Sequence, residues 1–236
     1  MESSANQLIE WPDQNGSVPL TLVFTDMVGS SAAKRAGSTA GDAATGDSAY
    51  LDAVQSRHLH IVRECLAAHH GKEIMTIGDA FFLTFDNPQD ALFCSAEIQI
   101  RLKTTPIMTA NGPLKLRIGI HVGTPKFFEN SWHGTDVDIA ARAESAGSGE
   151  QIVLTDAAKA KLGDLPGIPL RPLGTFALKG VGNVKLWDAD YDQHGPRKPQ
   201  FESLEQLKGS MSRERRPNPS AVERAHYVEA LTDPNS

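Results

Sequence analysis

The sequence predicts an α+β fold, a ferredoxin-like βαββαβ sandwich, on three observations. Short apolar, β-favouring runs alternate with stretches whose apolar residues recur at helical spacing. Their order is strand, helix, strand, strand, helix, strand. The two middle strands are separated by Gly78-Asp79, a hairpin connection.

Residues 1–17 form a polar lead-in, and the folded domain is expected over 18–191. Pro19–Phe24 (PLTLVF) is a buried strand that runs into Thr25-Asp26-Met27-Val28-Gly29-Ser30-Ser31. Residues 35–48, rich in Gly, Ala, Ser, Thr and Asp, read as a loop. From Ala49 to His69 the apolar positions Leu51, Val54, Ile61, Val62, Cys65 and Leu66 share one helical face with His58, and Gly71 closes that helix. Glu73–Ile77 and Ala80–Phe85 are the hairpin strands. Pro88 opens a second helix to Leu102. Leu114–Val122 (LKLRIGIHV) alternates as a strand should, and a short hairpin and a helix over Asp136–Ser145 come after it. Gln151–Leu154 is a strand, Thr155 caps the next helix, and residues 170–190 close the domain as a β-hairpin. Residues 192–236 (GPRKPQ, SRERRPNP, LTDPNS) read as a polar, flexible tail with one short helix near 219–231.

Composition narrows the class. The net charge of −6 gives no reason to expect nucleic acid or an anionic membrane as partner. No apolar run approaches the roughly 18 residues of a membrane span. The N-terminus, MESSANQLIEWPDQ, has no basic and apolar leader pattern, so a cytoplasmic location is expected. Cys65 and Cys94 sit within apolar helical patterns and read as reduced core residues.

Two acidic positions stand out. Asp26 ends an apolar strand and Asp79 sits at a hairpin tip; in a βαββαβ sheet the first strand can lie beside that hairpin. Two hard oxygen ligands on rigid turns suit Mg²⁺ or Mn²⁺, which bind few carboxylates and complete their shells with phosphate oxygens. A pair of such ions about 4 Å apart serves an in-line displacement at phosphorus. Read singly, an Asp at either place more often bonds local backbone amides. The small residues Gly29 and Ser30 add weight, because their backbone N–H groups can point at phosphate.

FTDMVGSS, GKEIMTIGDAFFLTF, LRIGIHVG, HGTDVDIAARAES and FALKG together resemble, in order, the motifs of the class III adenylate and guanylate cyclase catalytic domain, over residues 19–188. The resemblance implies an enzyme that closes a nucleoside triphosphate into its 3′,5′-cyclic monophosphate and releases pyrophosphate, with two Mn²⁺ or Mg²⁺ ions per site. It implies that Asp26 and Asp79 are the metal ligands, joined by the backbone carbonyl of Met27. Arg142 would stabilise charge at the α-phosphorus and Lys179 would contact the terminal phosphates. It also implies a head-to-tail homodimer whose sites are split, one chain supplying the aspartates and its mate the arginine.

Three positions depart from the family pattern. Where adenylate cyclases carry a base-reading Lys, this sequence has Met75; their second base-reading residue is Ser131 here; the ribose-placing Asn is Asp138. Bulky, apolar Met75 narrows the pocket, Ser131 suits a carbonyl or imide edge, and Tyr50 is a further candidate to stack on or bond the base. The chain is thereby similar to the bacterial pyrimidine cyclases, with UTP preferred to CTP. That subgroup implies a separate effector responsive to the cyclic nucleotide, used in antiviral (anti-phage) signalling. Two other readings stand beside it: an adenylate cyclase with a variant base pocket, and a catalytically inactive nucleotide-binding or dimerisation module, which the carboxylate of Asp138 near a triphosphate would favour.

Overall fold

The computed structural model describes residues 19–29, 54–109, 111–129 and 131–206. The lead-in 1–17, the 35–48 loop, the helix near 219–231, Ser30 and Tyr50 lie outside the described residues.

The elements in chain order are β1 (Leu20–Met27), α1 (Ser56–Ala68), β2 (Lys72–Ile77), β3 (Ala80–Phe85), α2 (Pro88–Thr104), β4 (Met108–Thr109), β5 (Gly112–Pro113), β6 (Leu116–Gly123), β7 (Lys126–Phe128), β8 (Ser131–His133), α3 (Thr135–Ala146), β9 (Ile152–Thr155), α4 (Asp156–Leu162), β10 (Leu170–Leu178) and β11 (Gly182–Ala189). Seven strands form one mixed sheet in the order β10-β11-β9-β6-β1-β3-β2, with β6 and β9 parallel. Its β6-β1-β3-β2 half has the expected ferredoxin-like order, because the helices after β1 and β3 carry the chain over to non-adjacent positions.

Alternation along the strands sorts side chains onto two faces. On β6, Leu116, Ile118, Ile120 and Val122 join Val23, Leu83, Phe85, Val62 and Leu92 in the main core under α1, α2 and α4. The intervening residues Arg117, Gly119, His121 and Gly123 face α3. Two of them are glycine for a steric reason: a Cβ at Gly119 would lie 2.2 Å from the Glu144 backbone nitrogen, and one at Gly123 would lie 2.2 Å from the Asp136 carboxyl carbon. The helix therefore rests directly on the strand. His121 pins its first turn, with Nε2 3.1 Å from Asp136 Oδ1 and Nδ1 2.8 Å from Thr155 Oγ1. Thr155 also caps α4 as expected, accepting from the Ala158 N–H at 3.3 Å.

The end of α1 differs from expectation. The left-handed residue that closes it is His70 (φ 58°), not Gly71. Gly71 is required by packing, since a Cβ there would sit 2.2 Å from Leu66 Cδ1 and 2.5 Å from Phe85 Cε1. Residues 192–206, assigned to the tail by sequence, lie against the domain: the Gln200 N–H donates to the Ala146 carbonyl at 2.9 Å, and the Thr175 N–H donates to Glu205 at 3.0 Å. Among the described residues no helix is long and apolar enough to cross a membrane.

Candidate active site

The site is built at the end of the sheet where β1 stops. Leu20, Leu22 and Phe24 lie on the α3 side of β1, and Asp26 continues that row. The β1–β3 register ends at Thr25↔Phe81, so Asp26 is one residue past the last pair on one strand and Asp79 two residues past it on the other. The Gly78-Asp79 turn between β2 and β3 thus brings both aspartates to the same end of neighbouring strands. Gln55 fastens the turn, donating from Nε2 to the Gly78 carbonyl at 2.6 Å. Asp79 is 7 % exposed. Its charge acts on His58, a wholly buried α1 residue packed edge-on against Phe81. Burial dominates there and pushes the imidazole down to about 4, so His58 is neutral at pH 7.

Asp26 is held by a residue that the motifs alone did not single out. Its register partner on β6 is Arg117, whose Nη2 donates to Asp26 Oδ2 at 2.6 Å. The Arg117 Nε forms an ion pair with Glu144 Oε1 on the underside of α3, and Nη1 donates to Gln200 Oε1 at 2.8 Å. Burial pushes Glu144 up to about 7; the Arg117 charge opposes that rise and the Asp26 charge adds to it. Two of its members were conspicuous singly, though nothing in the sequence joined them: an arginine in the mostly apolar strand LRIGIHVG, and a glutamate two residues past Arg142 in AARAES. Beside it opens a cavity of about 470 Å³ lined by Asp26, Met27, Gly29, Arg117, Ser148 and Gln200. Gly29 has φ 79° with open space where a Cβ would stand, so it is glycine for its backbone conformation.

The other expected residues lie elsewhere. Asp138 and Arg142, four apart on α3, occupy its solvent-facing stripe, while Ala140, Ala143 and Ala146 face inward. Lys179 is exposed in the β10–β11 turn. Among the described residues, the Arg142 and Lys179 side chains form no hydrogen bond or ion pair with Asp26 or Asp79. Met75, 42 % exposed, lies on the edge strand β2 opposite Phe82, whose ring stacks on Phe24 at 4.5 Å. Ser131 begins β8, which packs against β2, so these two positions stand on touching strands.

A divalent cation fits the donor set in one respect and needs help in another. Asp26 already binds a cation, the guanidinium, so its oxygen is aimed at positive charge. Among the described residues no group of three or more His, Cys, Asp or Glu forms a cage. Two carboxylates and main-chain carbonyls are what a hard ion takes when substrate phosphates complete its shell.

The family model for the adenylate and guanylate cyclase catalytic domain matches residues 14–188. The chain belongs to that family. It is a nucleotide cyclase catalytic domain. Its sequence is 26% identical over 214 residues to the receptor-type adenylate cyclase GRESAG 4.1 of Trypanosoma brucei brucei; the match covers 72% of this chain and 16% of that much longer relative. An uncharacterized Mycobacterium tuberculosis protein is 30% identical over 126 residues, 48% of this chain and 41% of that protein. Among solved structures, a Trypanosoma brucei adenylate cyclase in its monomeric state superposes with a TM-score of 0.65 at 20% identity, covering 81% of this chain and 98% of that one. The guanylyl cyclase Cya2 gives 0.58 at 22% identity, covering 79% and 96%. At these identities the structures speak to the cyclase fold, a mixed α+β sheet, and not to the base that is used.

Proposed function

We propose that this cyclase domain works as a homodimer that converts a pyrimidine nucleoside triphosphate, UTP before CTP, to its 3′,5′-cyclic monophosphate and pyrophosphate. The observation that carries the reading is that Met75 and Ser131 stand on touching strands, with Met75 opposite Phe82 of the stacked Phe24–Phe82 pair. An apolar thioether and a hydroxyl cannot reproduce the paired polar groups that recognise adenine; an active site lacking them no longer rejects other bases on that ground.

In this reading Asp26, Asp79 and the Met27 carbonyl would hold the Mn²⁺ or Mg²⁺ ions, two per site. When bound, such ions supply the Lewis acidity that eases deprotonation of the 3′-hydroxyl and balances charge on the departing pyrophosphate. The 3′-oxygen forms its bond to the α-phosphorus as the bond to the β-phosphate bridging oxygen breaks, and the hydroxyl proton passes to solvent. Arg142 of one subunit forks onto the α-phosphate of a nucleotide held by its mate, where its planar, permanently charged guanidinium stabilises the crowded oxygens. Lys179 and the backbone N–H groups at Gly29 and Ser30 bind the outer phosphates. In this reading Asp138 accepts from a ribose hydroxyl. The exposure of Arg142, free of any side-chain partner among the described residues, supports a role across a subunit contact. A part in antiviral signalling, with a separate effector reading the product, rests on the resemblance alone.

A second reading has its own support: a relative matched over most of this chain is named an adenylate cyclase. Assaying the purified protein with ATP, GTP, CTP and UTP and Mn²⁺, with products identified by mass, separates the two. Cyclic UMP or cyclic CMP as the main product upholds the first, and cyclic AMP the second. No product from a folded dimer points to an inactive nucleotide-binding module.

A further inference from the structure

Beyond β11 the chain turns back toward the Asp26 corner. Residues 195–206 run across the C-terminal end of α3. The strap is fastened at several points: the Gly195 N–H to Asp190 Oδ1 (3.1 Å), the Arg197 guanidinium to Asp192 Oδ1 (2.5 Å), the Ser148 hydroxyl to the Lys198 carbonyl, and the Gln200 N–H to the Ala146 carbonyl (2.9 Å). So held, Gln200 presents Oε1 to Arg117 Nη1 at 2.8 Å.

Arg117 therefore has a different partner at each nitrogen: Asp26 at Nη2, Glu144 at Nε and Gln200 at Nη1. A guanidinium and a divalent cation repel one another and compete for the same carboxylate oxygen. A cation arriving at Asp26 must loosen Arg117, and how readily it yields depends on what else holds it. Glu144 and Gln200 both bind the guanidinium away from the Asp26 oxygen. Loss of either leaves Arg117 more firmly on Asp26.

We propose that Gln200 is a positioning residue of this site: by holding Arg117 it limits the grip of the guanidinium on Asp26 and so sets how tightly that carboxylate takes a divalent cation. The inference rests on the reading of Asp26 as a metal ligand.

The test uses the full chain and Mn²⁺ alone, with free Mn²⁺ measured by its electron paramagnetic resonance signal. Gln200→Met, which removes the acceptor, should raise the dissociation constant by about three- to tenfold. Gln200→Glu, which pulls harder on Arg117, should lower it, with thermal midpoints for both variants close to wild type. In an Arg117→Met/Glu144→Gln background, where no guanidinium remains, Gln200→Met should have no further effect. Wild-type Mn²⁺ affinity in Gln200→Met, shifts in the same direction for both single variants, or an equal shift in the Arg117-free background would each overturn the proposal. Asp26→Asn distinguishes the premise: if it leaves Mn²⁺ affinity unchanged, the metal reading itself fails and the Gln200 role falls with it.

Discussion

Two regions of the domain carry the residues of the proposed site, and they are built differently. At the end of β1, Asp26 is tied through Arg117 to Glu144 and Gln200, so strand, helix and C-terminal strap all converge on one guanidinium. On the outer stripe of α3, Asp138 and Arg142 stand in solvent, and the Arg142 guanidinium has no side-chain partner among the described residues. A guanidinium with internal partners is held in place by its own chain. One without them is available to a group the chain does not contain. The contrast fits the proposed split site, in which one half is pre-organised at Asp26 and the other half is left exposed on α3 for a second subunit.

The largest expected effects fall on the pre-organised half. Asp26→Ala and Asp79→Ala should each lower turnover on the order of a thousandfold, with the dimer intact by size-exclusion chromatography. Near-normal turnover in either would break the distinction between the two regions, because the held carboxylates would then serve only structure. A smaller effect is expected at the exposed edge. Met75→Lys with Ser131→Asp should raise the preference for ATP over UTP by about ten- to a hundredfold in kcat/KM. An unchanged preference would remove these two positions from the base pocket.

A separate effect concerns stability rather than catalysis and sharpens what burial does to a carboxylate. Asp188 is fully buried and accepts from the Arg197 N–H at 3.4 Å. Burial raises its pKa to about 6. A carboxyl raised in the folded state favours folding while protonated. Its contribution is complete below the unfolded value near 4 and is lost as pH rises through about 6, roughly 3 kcal/mol in all. Asp188→Asn should therefore match wild type at pH 4 in urea unfolding and exceed it at pH 7. Parallel curves at both pH values would show that Asp188 carries no such cost.

Much of this was legible in the sequence, and the part that was not had a physical reason. The strands and helices came from the apolar periodicity, and the hairpin from Gly78-Asp79. The turns at Asp26 and Asp79 announced themselves because an acidic residue at the end of an apolar run is conspicuous. Arg117, Glu144 and Gln200 were not legible as a cluster. They lie 27 and 56 residues apart along the chain, and only the close rest of α3 on Gly119 and the fold-back of the strap bring them together. Gln200 in particular sits in a stretch whose composition reads as tail. His58 was visible as a member of a helical face, but its proximity to Asp79 depends on how α1 lies over the hairpin.

The central claim is that one chain's aspartates and its mate's arginine act on a single triphosphate. Mixing an Asp26→Ala chain with an Arg142→Ala chain, after confirmed subunit exchange, tests it most directly. Each variant alone should be inactive. The mixture should recover about a quarter of wild-type activity, since half of the dimers are mixed and each holds one intact site. A mixture as inactive as its parents, with exchange demonstrated, would contradict the account.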